Sequence, residues 1–254
     1  MSALLPRHRA HDYAALMAGW QSVADKAGLH AVTLGMADHL PILVFESTAS
    51  AQGQPAVYLS AGVHGDEAAP PWALLEWAQA NTSLLRREAF ILSPCLNPIG
   101  LICNTRVNHR GEDINRRFHI TRDPLIKAWQ RFLKGRQLSL GLCLHEDYDA
   151  QGCYVYELGP ERGNLCEPAM TAVEAHLPRD LRRKIEGRTA TRGIIRRRAI
   201  PADIHGPEAI VLHQFGCPVT LTFETPSEFA LDTRVQAQRR FIDASLEHIA
   251  GIRA

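Results

Sequence analysis

The chain has 254 residues, 46% of them apolar and 22% charged, with a formal net charge of +1. That composition excludes collagen, coiled coil and global disorder, and the length suffices for a sizeable core without covalent staples. A near-neutral balance gives no electrostatic reason to expect nucleic acid or an anionic membrane as partner.

In chain order, residues 12–27 carry Leu16, Trp20, Val23 and Ala27 at helical spacing, and Gly28 is the expected stop. Short strands are expected at 31–36 and 41–46, and a loop at 50–55. The run 57–62 (VYLSAG) reads as a strand buried on both faces, and 68–80 as a helix that tolerates Pro70 and Pro71 only in its first turn. Residues 89–96 read as a strand ending in Asn97-Pro98-Ile99-Gly100. Residues 123–134 read as a helix with Asp123 as N-cap and Pro124 at its first position. Strands follow at 138–144 and 153–158, helix-compatible sequence at 161–176, a strand at 219–223 and a long amphipathic helix at 228–250. Strands alternating with helices predict an α/β fold with a mixed, largely parallel sheet, and the lack of repeats or linkers predicts one domain over 1–254.

The six cysteines form no C-x-x-C pair and mostly sit in apolar runs, as small core residues do. The N-terminus has no continuous apolar stretch of signal-peptide type, and no run reaches the ~18 apolar residues of a membrane helix. A cytoplasmic protein is the expectation. The stretch 179–198 holds nine Lys/Arg without interleaved aromatics, so it reads as a solvated face, or as a rim attracting an anionic substrate, rather than a nucleic-acid surface.

Four apolar strands end in residues capable of chemistry: the first leads into His64 and Glu67, then come Asn97-Pro98, His145 and Glu224. In open α/β sheets ligands bind at the carboxyl ends of the strands, so one crevice can hold all four. His64-Gly-Asp-Glu67 is an H-x-x-E element with two further matches, at His109–Glu112 and His205–Glu208. The first alone directly follows a buried strand and opens a helix. With His145 it makes two imidazoles and a carboxylate, the ligand count of a catalytic zinc with one position left open. Glu224 supplies the base that such a site needs. The long loop 97–118 carries Arg106, Arg110, Arg116 and Arg117 with Asn104, Asn108 and Asn115, groups suited to carboxylates and oxyanions.

The run NPIG followed by TRVNHRGEDINRRF, with HGDE before it and His145 and Glu224 after it, resembles the zinc metallocarboxypeptidase family over about residues 57 to 226. The short HGDE, LHED and FETP elements also resemble its succinylglutamate desuccinylase/aspartoacylase branch. The resemblance implies a mixed sheet of about eight strands between helices. It implies zinc ligands His64, Glu67 and His145, a general base Glu224, and an oxyanion-holding Arg106. Asn115 and Arg116 would hold a substrate carboxylate, and Asp113 would orient the loop. The implied activity is hydrolysis of an amide bond next to a carboxylate, on a peptide or small molecule. Deacylation of an N-acyl amino acid is the alternative, and an inactive binding module a further one.

One zinc is expected, and the acidic cluster Glu146, Asp147 and Asp149 fits either support of the site or a second metal. Carboxypeptidases carry a substrate-capping tyrosine where this chain has Ala202, Asp203, Ile204 and His205, which leaves the role of His205 open. Substrate identity and oligomeric state do not follow from the residues.

Overall fold

The computed structural model of the chain describes residues 9–159, 165–200 and 206–251. Helix α1 (Tyr13–Ala27) starts at Asp12, whose carboxylate accepts from the Ala15 N–H, and ends at Gly28 in the left-handed region. Strands β1 (His30–Ala37) and β2 (Leu40–Glu46) form an antiparallel pair. A short helix α2 (Thr48–Ala51) enters the expected loop, with Ser47 capping it. Strand β3 (Ala56–Ser60) and helix α3 (Ala69–Ala80) flank the His64 element, with Pro70 and Pro71 in the first turn of α3. Helix α4 (Thr82–Arg87), which the sequence reading did not anticipate, leads to β4 (Phe90–Ser93).

Asn97-Pro98 does not end a strand. Asn97 caps helix α5 (Pro98–Cys103) by accepting from the Gly100 N–H, and Pro98 fills the first position, where no donor is needed. A 3₁₀ turn (Ile114–Arg116) and helix α6 (Pro124–Leu133) follow, the latter capped by Asp123 as expected. Strand β5 (Leu138–Asp147) runs further than expected and carries His145 within it; β6 (Tyr154–Leu158) comes next. Helix α7 (Glu167–Val173) lies inside the helix-compatible segment. The basic stretch is a hairpin, β7 (Lys184–Ile185) and β8 (Arg188–Thr189), followed by β9 (Ile194–Arg197). Helix α8 (Glu208–Gln214), strand β10 (Thr220–Pro226) and helix α9 (Leu231–Ser245) complete the order, and α9 runs on as a π-turn to Ala250.

Eight strands make one mixed sheet in the order β1-β2-β4-β3-β5-β10-β6-β9. Its centre, β4-β3-β5-β10, is parallel, and β9 pairs parallel to β6. The central strands are buried on both faces, which explains their unbroken apolar runs. Alternate residues then divide the core. Val57, Leu59, Leu140, Leu142, Leu144 and Phe223 pack with Trp20 of α1, Trp77 of α3 and Phe241 of α9. Tyr58, Ile91 and Cys143 pack on the other face with Trp129 of α6 and Leu212 of α8. Because β3, β4, β5 and β10 run the same way, their carboxyl ends meet along one edge. Among the described residues no helix is long and apolar enough to cross a membrane.

Candidate active site

At that edge His64, Glu67 and His145 converge. One ligand atom from each lies within 4.8 Å of the others, and all three residues are buried. His64 Nδ1 is 2.5 Å from Glu67 Oε1, and His145 Nδ1 is 3.0 Å from Glu67 Oε2. The far side of the His64 ring is fixed by Asp113, 3.1 Å from Nε2. A carboxylate behind a ligating histidine sets its tautomer and leaves Nδ1 for a metal. Burial opposes protonation of both imidazoles, yet Glu67 outweighs it and raises both, His64 to about 9 with help from Asp113. Burial likewise opposes ionisation of Glu67, and the two imidazoles overcome it and lower its pKa. The centre of the cluster therefore favours positive charge. A divalent cation takes the place of those protons when imidazole and carboxylate ligate it, so the donor set fits a catalytic metal.

The acidic cluster after His145 is divided by the two-residue period of β5. Glu146 points to the opposite face from His145 and is tied there by Ala69 N–H, Thr225 and Arg234. Burial still raises its carboxyl to about 7, against the pull of Arg234. Asp147 accepts from the Tyr154 hydroxyl, 2.9 Å away, and Asp149 is exposed. Among the described residues His64, Glu67 and His145 form the one cluster with metal-ligand spacing.

Glu224 lies beside His145, paired with it in the parallel register of β10 and β5. Burial pushes its carboxyl well above the ordinary carboxylate range; His145 pulls it back and Glu67 pushes it further. Glu224 and His145 line a cavity of about 370 Å³ that also receives His64, Glu67, Arg106, Asn115 and Arg116. All seven expected site residues thus meet in one space.

Arg106 donates from Nε to Asp113 Oδ2 at 3.1 Å and lies 3.7 Å from Glu67. Burial opposes ionisation of Asp113, but His64 and Arg106 hold it well below its ordinary value. Arg110 and Arg117 instead pair with Glu112 and Asp123, so they brace the loop. His109 and Glu112, the second H-x-x-E match, stay outside the cluster. His205 lies outside the described residues.

Tyr154, Tyr156, Thr220 and Thr222 line the cavity without having been expected there, and Arg188 and Arg197 of the basic stretch join them. Thr222 and Thr220 were accessible to the sequence reading, since they precede Glu224 at a strand's two-residue spacing. The pairing of β9 with β6 brings Arg197 to the cavity, and Arg188 reaches it from the separate β7–β8 hairpin.

A sequence model of the succinylglutamate desuccinylase/aspartoacylase catalytic domain matches residues 53–131. A candidate metallopeptidase from Shewanella denitrificans is similar over 96% of this chain and 92% of its own, at 26% identity and a TM-score of 0.84. One from Shewanella amazonensis is similar over 94% of each chain, at 23% identity and the same TM-score of 0.84. The chain is a metallohydrolase of the carboxypeptidase-like fold. A metallo-carboxypeptidase from Burkholderia cenocepacia shares the architecture at 18% identity and a TM-score of 0.67, covering 92% of this metallohydrolase and 68% of its own length. No curated protein sequence matches the chain.

Proposed function

We propose that this metallohydrolase uses zinc to cleave an amide bond next to a carboxylate, as a carboxypeptidase does. The supporting observation is the opening of the His64–Glu67–His145 cluster onto the cavity that also holds Glu224, Arg106, Asn115 and Arg116. Zinc at His64, Glu67 and His145 would supply Lewis acidity, polarising the carbonyl and making water a better nucleophile. Glu224 accepts a proton from that water and returns it to the leaving amine. Arg106 donates N–H bonds to the carbonyl oxygen as negative charge builds. Asn115 and Arg116 hold the substrate carboxylate, and Asp113 keeps the His64 ring oriented.

A second reading is deacylation of an N-acyl amino acid, favoured by the match over 53–131. The chemistry is the same; the readings differ in which side of the amide bears the recognised carboxylate. A binding module with a decayed site is disfavoured by the complete donor set.

A release assay on zinc-loaded protein against C-terminal peptides, N-acyl amino acids and cell-wall peptides tests both readings. Glu224→Gln is expected to keep zinc and fold and to lose roughly 10²–10⁴-fold in kcat. Near wild-type turnover in that variant removes Glu224 from its role, and no release from any substrate class removes the hydrolase reading.

A further inference from the structure

The third H-x-x-E match ends in Glu208, and the fold gives that residue a place that its loop context did not suggest. Glu208 opens α8 and is only 1% exposed. Its carboxylate accepts from the Tyr58 hydroxyl at 2.6 Å and the Ser60 hydroxyl at 2.7 Å. Tyr58 is held in turn by the indole N–H of Trp129, 2.9 Å away. Both Tyr58 and Ser60 belong to β3, the strand that leads directly to His64. The backbone N–H of Glu208 donates to Asn115 Oδ1 at 3.0 Å. An N–H requires an acceptor, so this bond fixes which end of the Asn115 amide points away from the cavity.

The same segment meets the 3₁₀ turn by backbone contact. Phe118 N–H donates to the Gly206 carbonyl at 3.1 Å. A Cβ on Gly206 would stand 2.7 Å from the Arg116 carbonyl oxygen, so only glycine permits this approach.

We infer that Glu208 is a positioning residue for substrate binding: it locks residues 206–208 to β3 and so turns the amide donors of Asn115 toward the cavity. The inference rests on the reading of Asn115 as a carboxylate-binding residue. The chain of contacts runs from the strand that carries His64, through a buried carboxylate, to the group that would hold the substrate. Glu208 touches no reacting atom. Its loss therefore weakens carboxylate binding while the proton chemistry at Glu224 continues.

The test is a double-mutant cycle on zinc-loaded protein with Glu208→Gln, Tyr58→Phe, Asn115→Ala and the pairs with Asn115→Ala. Gln keeps the volume of Glu208 but replaces one of its two acceptor oxygens with a donor. Glu208→Gln is expected to raise KM roughly tenfold, the scale of a lost charge-assisted hydrogen bond, with kcat and zinc stoichiometry near wild type. Tyr58→Phe moves KM in the same direction by less. In the Asn115→Ala background neither change has a further effect, which a general loss of stability would not produce.

A second arm needs no turnover: succinate titrated into the same zinc-loaded variants by calorimetry, with Glu208→Gln binding roughly tenfold more weakly. That arm separates failure of the positioning role from failure of the hydrolase reading. Additive effects with Asn115→Ala, a fall in kcat at constant KM, equal succinate affinity in wild type and Glu208→Gln, or no succinate binding by wild type each overturn the inference. If Glu208→Gln does not fold, the Tyr58→Phe cycle decides it alone.

Discussion

Arg106 and Arg116 share one loop but meet different surroundings. Arg106 is half-exposed, bonded to Asp113 and close to Glu67, beside the metal-ligand cluster. Arg116 is exposed on the 3₁₀ turn and lines the cavity. Charge on a carbonyl oxygen exists only near the transition state, so Arg106→Met is expected to lower kcat with modest change in KM. A carboxylate is charged throughout, so Arg116→Met is expected to raise KM by a factor equivalent to about 1.5–3 kcal/mol. Steady-state kinetics on the two variants check the division, and a change confined to KM in both would remove Arg106 from its role. At the neighbouring Gly65 the constraint is steric. A Cβ there would lie 1.9 Å from the Gly100 carbonyl carbon, in the backbone of α5. Gly65→Ala is expected to displace the His64–Glu67 turn, destabilise the fold by about 1–3 kcal/mol and weaken metal binding. Thermal unfolding and bound-metal analysis measure both effects.

Between elements, buried ion pairs join segments distant in sequence. Glu46 at the end of β2 takes two hydrogen bonds from Arg136, which precedes β5, and a third from Ser50 of α2. Burial opposes ionisation of Glu46, but Arg136 and Ser50 outweigh it and lower its pKa below the ordinary 4.5. A carboxyl with a depressed folded-state pKa contributes stability in full above its unfolded value. That contribution is lost as pH falls through the folded value. Glu46→Gln is therefore expected to lower the urea midpoint at pH 7, with a gap from wild type that narrows below about pH 4.5. A gap of constant size down to pH 3 would show that the charge contributes nothing. On the other face, α9 supports the site without entering it. Gln238 donates to the His145 carbonyl at 2.7 Å and Arg234 reaches Glu146, so β5 is gripped just where it delivers its ligand.

For the molecule as a whole, the core is packed from apolar side chains on both faces of the sheet. Chelation is expected to abolish hydrolysis while far-UV circular dichroism keeps its native form. The melting temperature should fall, because a ligand bound only to the folded state stabilises by about 4 kcal/mol at a thousandfold excess over its Kd. Unfolding on chelation would show that the fold depends on the metal.

The sequence by itself determined the central strands, the helices that start at Asp12 and Asp123, and the site candidates His64, Glu67, His145 and Glu224, because each of these is set by neighbours a few positions away. A strand buried on both faces reads as a near-continuous apolar run, and a metal ligand at its carboxyl end is drawn from the few side chains that can ligate, His, Cys, Glu and Asp. Tertiary structure alone decided which groups serve that site from a distance. Asn115 receives its fixing bond from a residue 93 positions on, and Glu146 its guanidinium from one 88 positions on. No local pattern carries such pairings, since they arise only when β5 and β10 lie side by side and α8 and α9 pack on opposite faces of the sheet. The same physics separated Glu146 from His145: adjacent residues in a strand face opposite ways, and what each face meets is set by the packing of the rest of the chain.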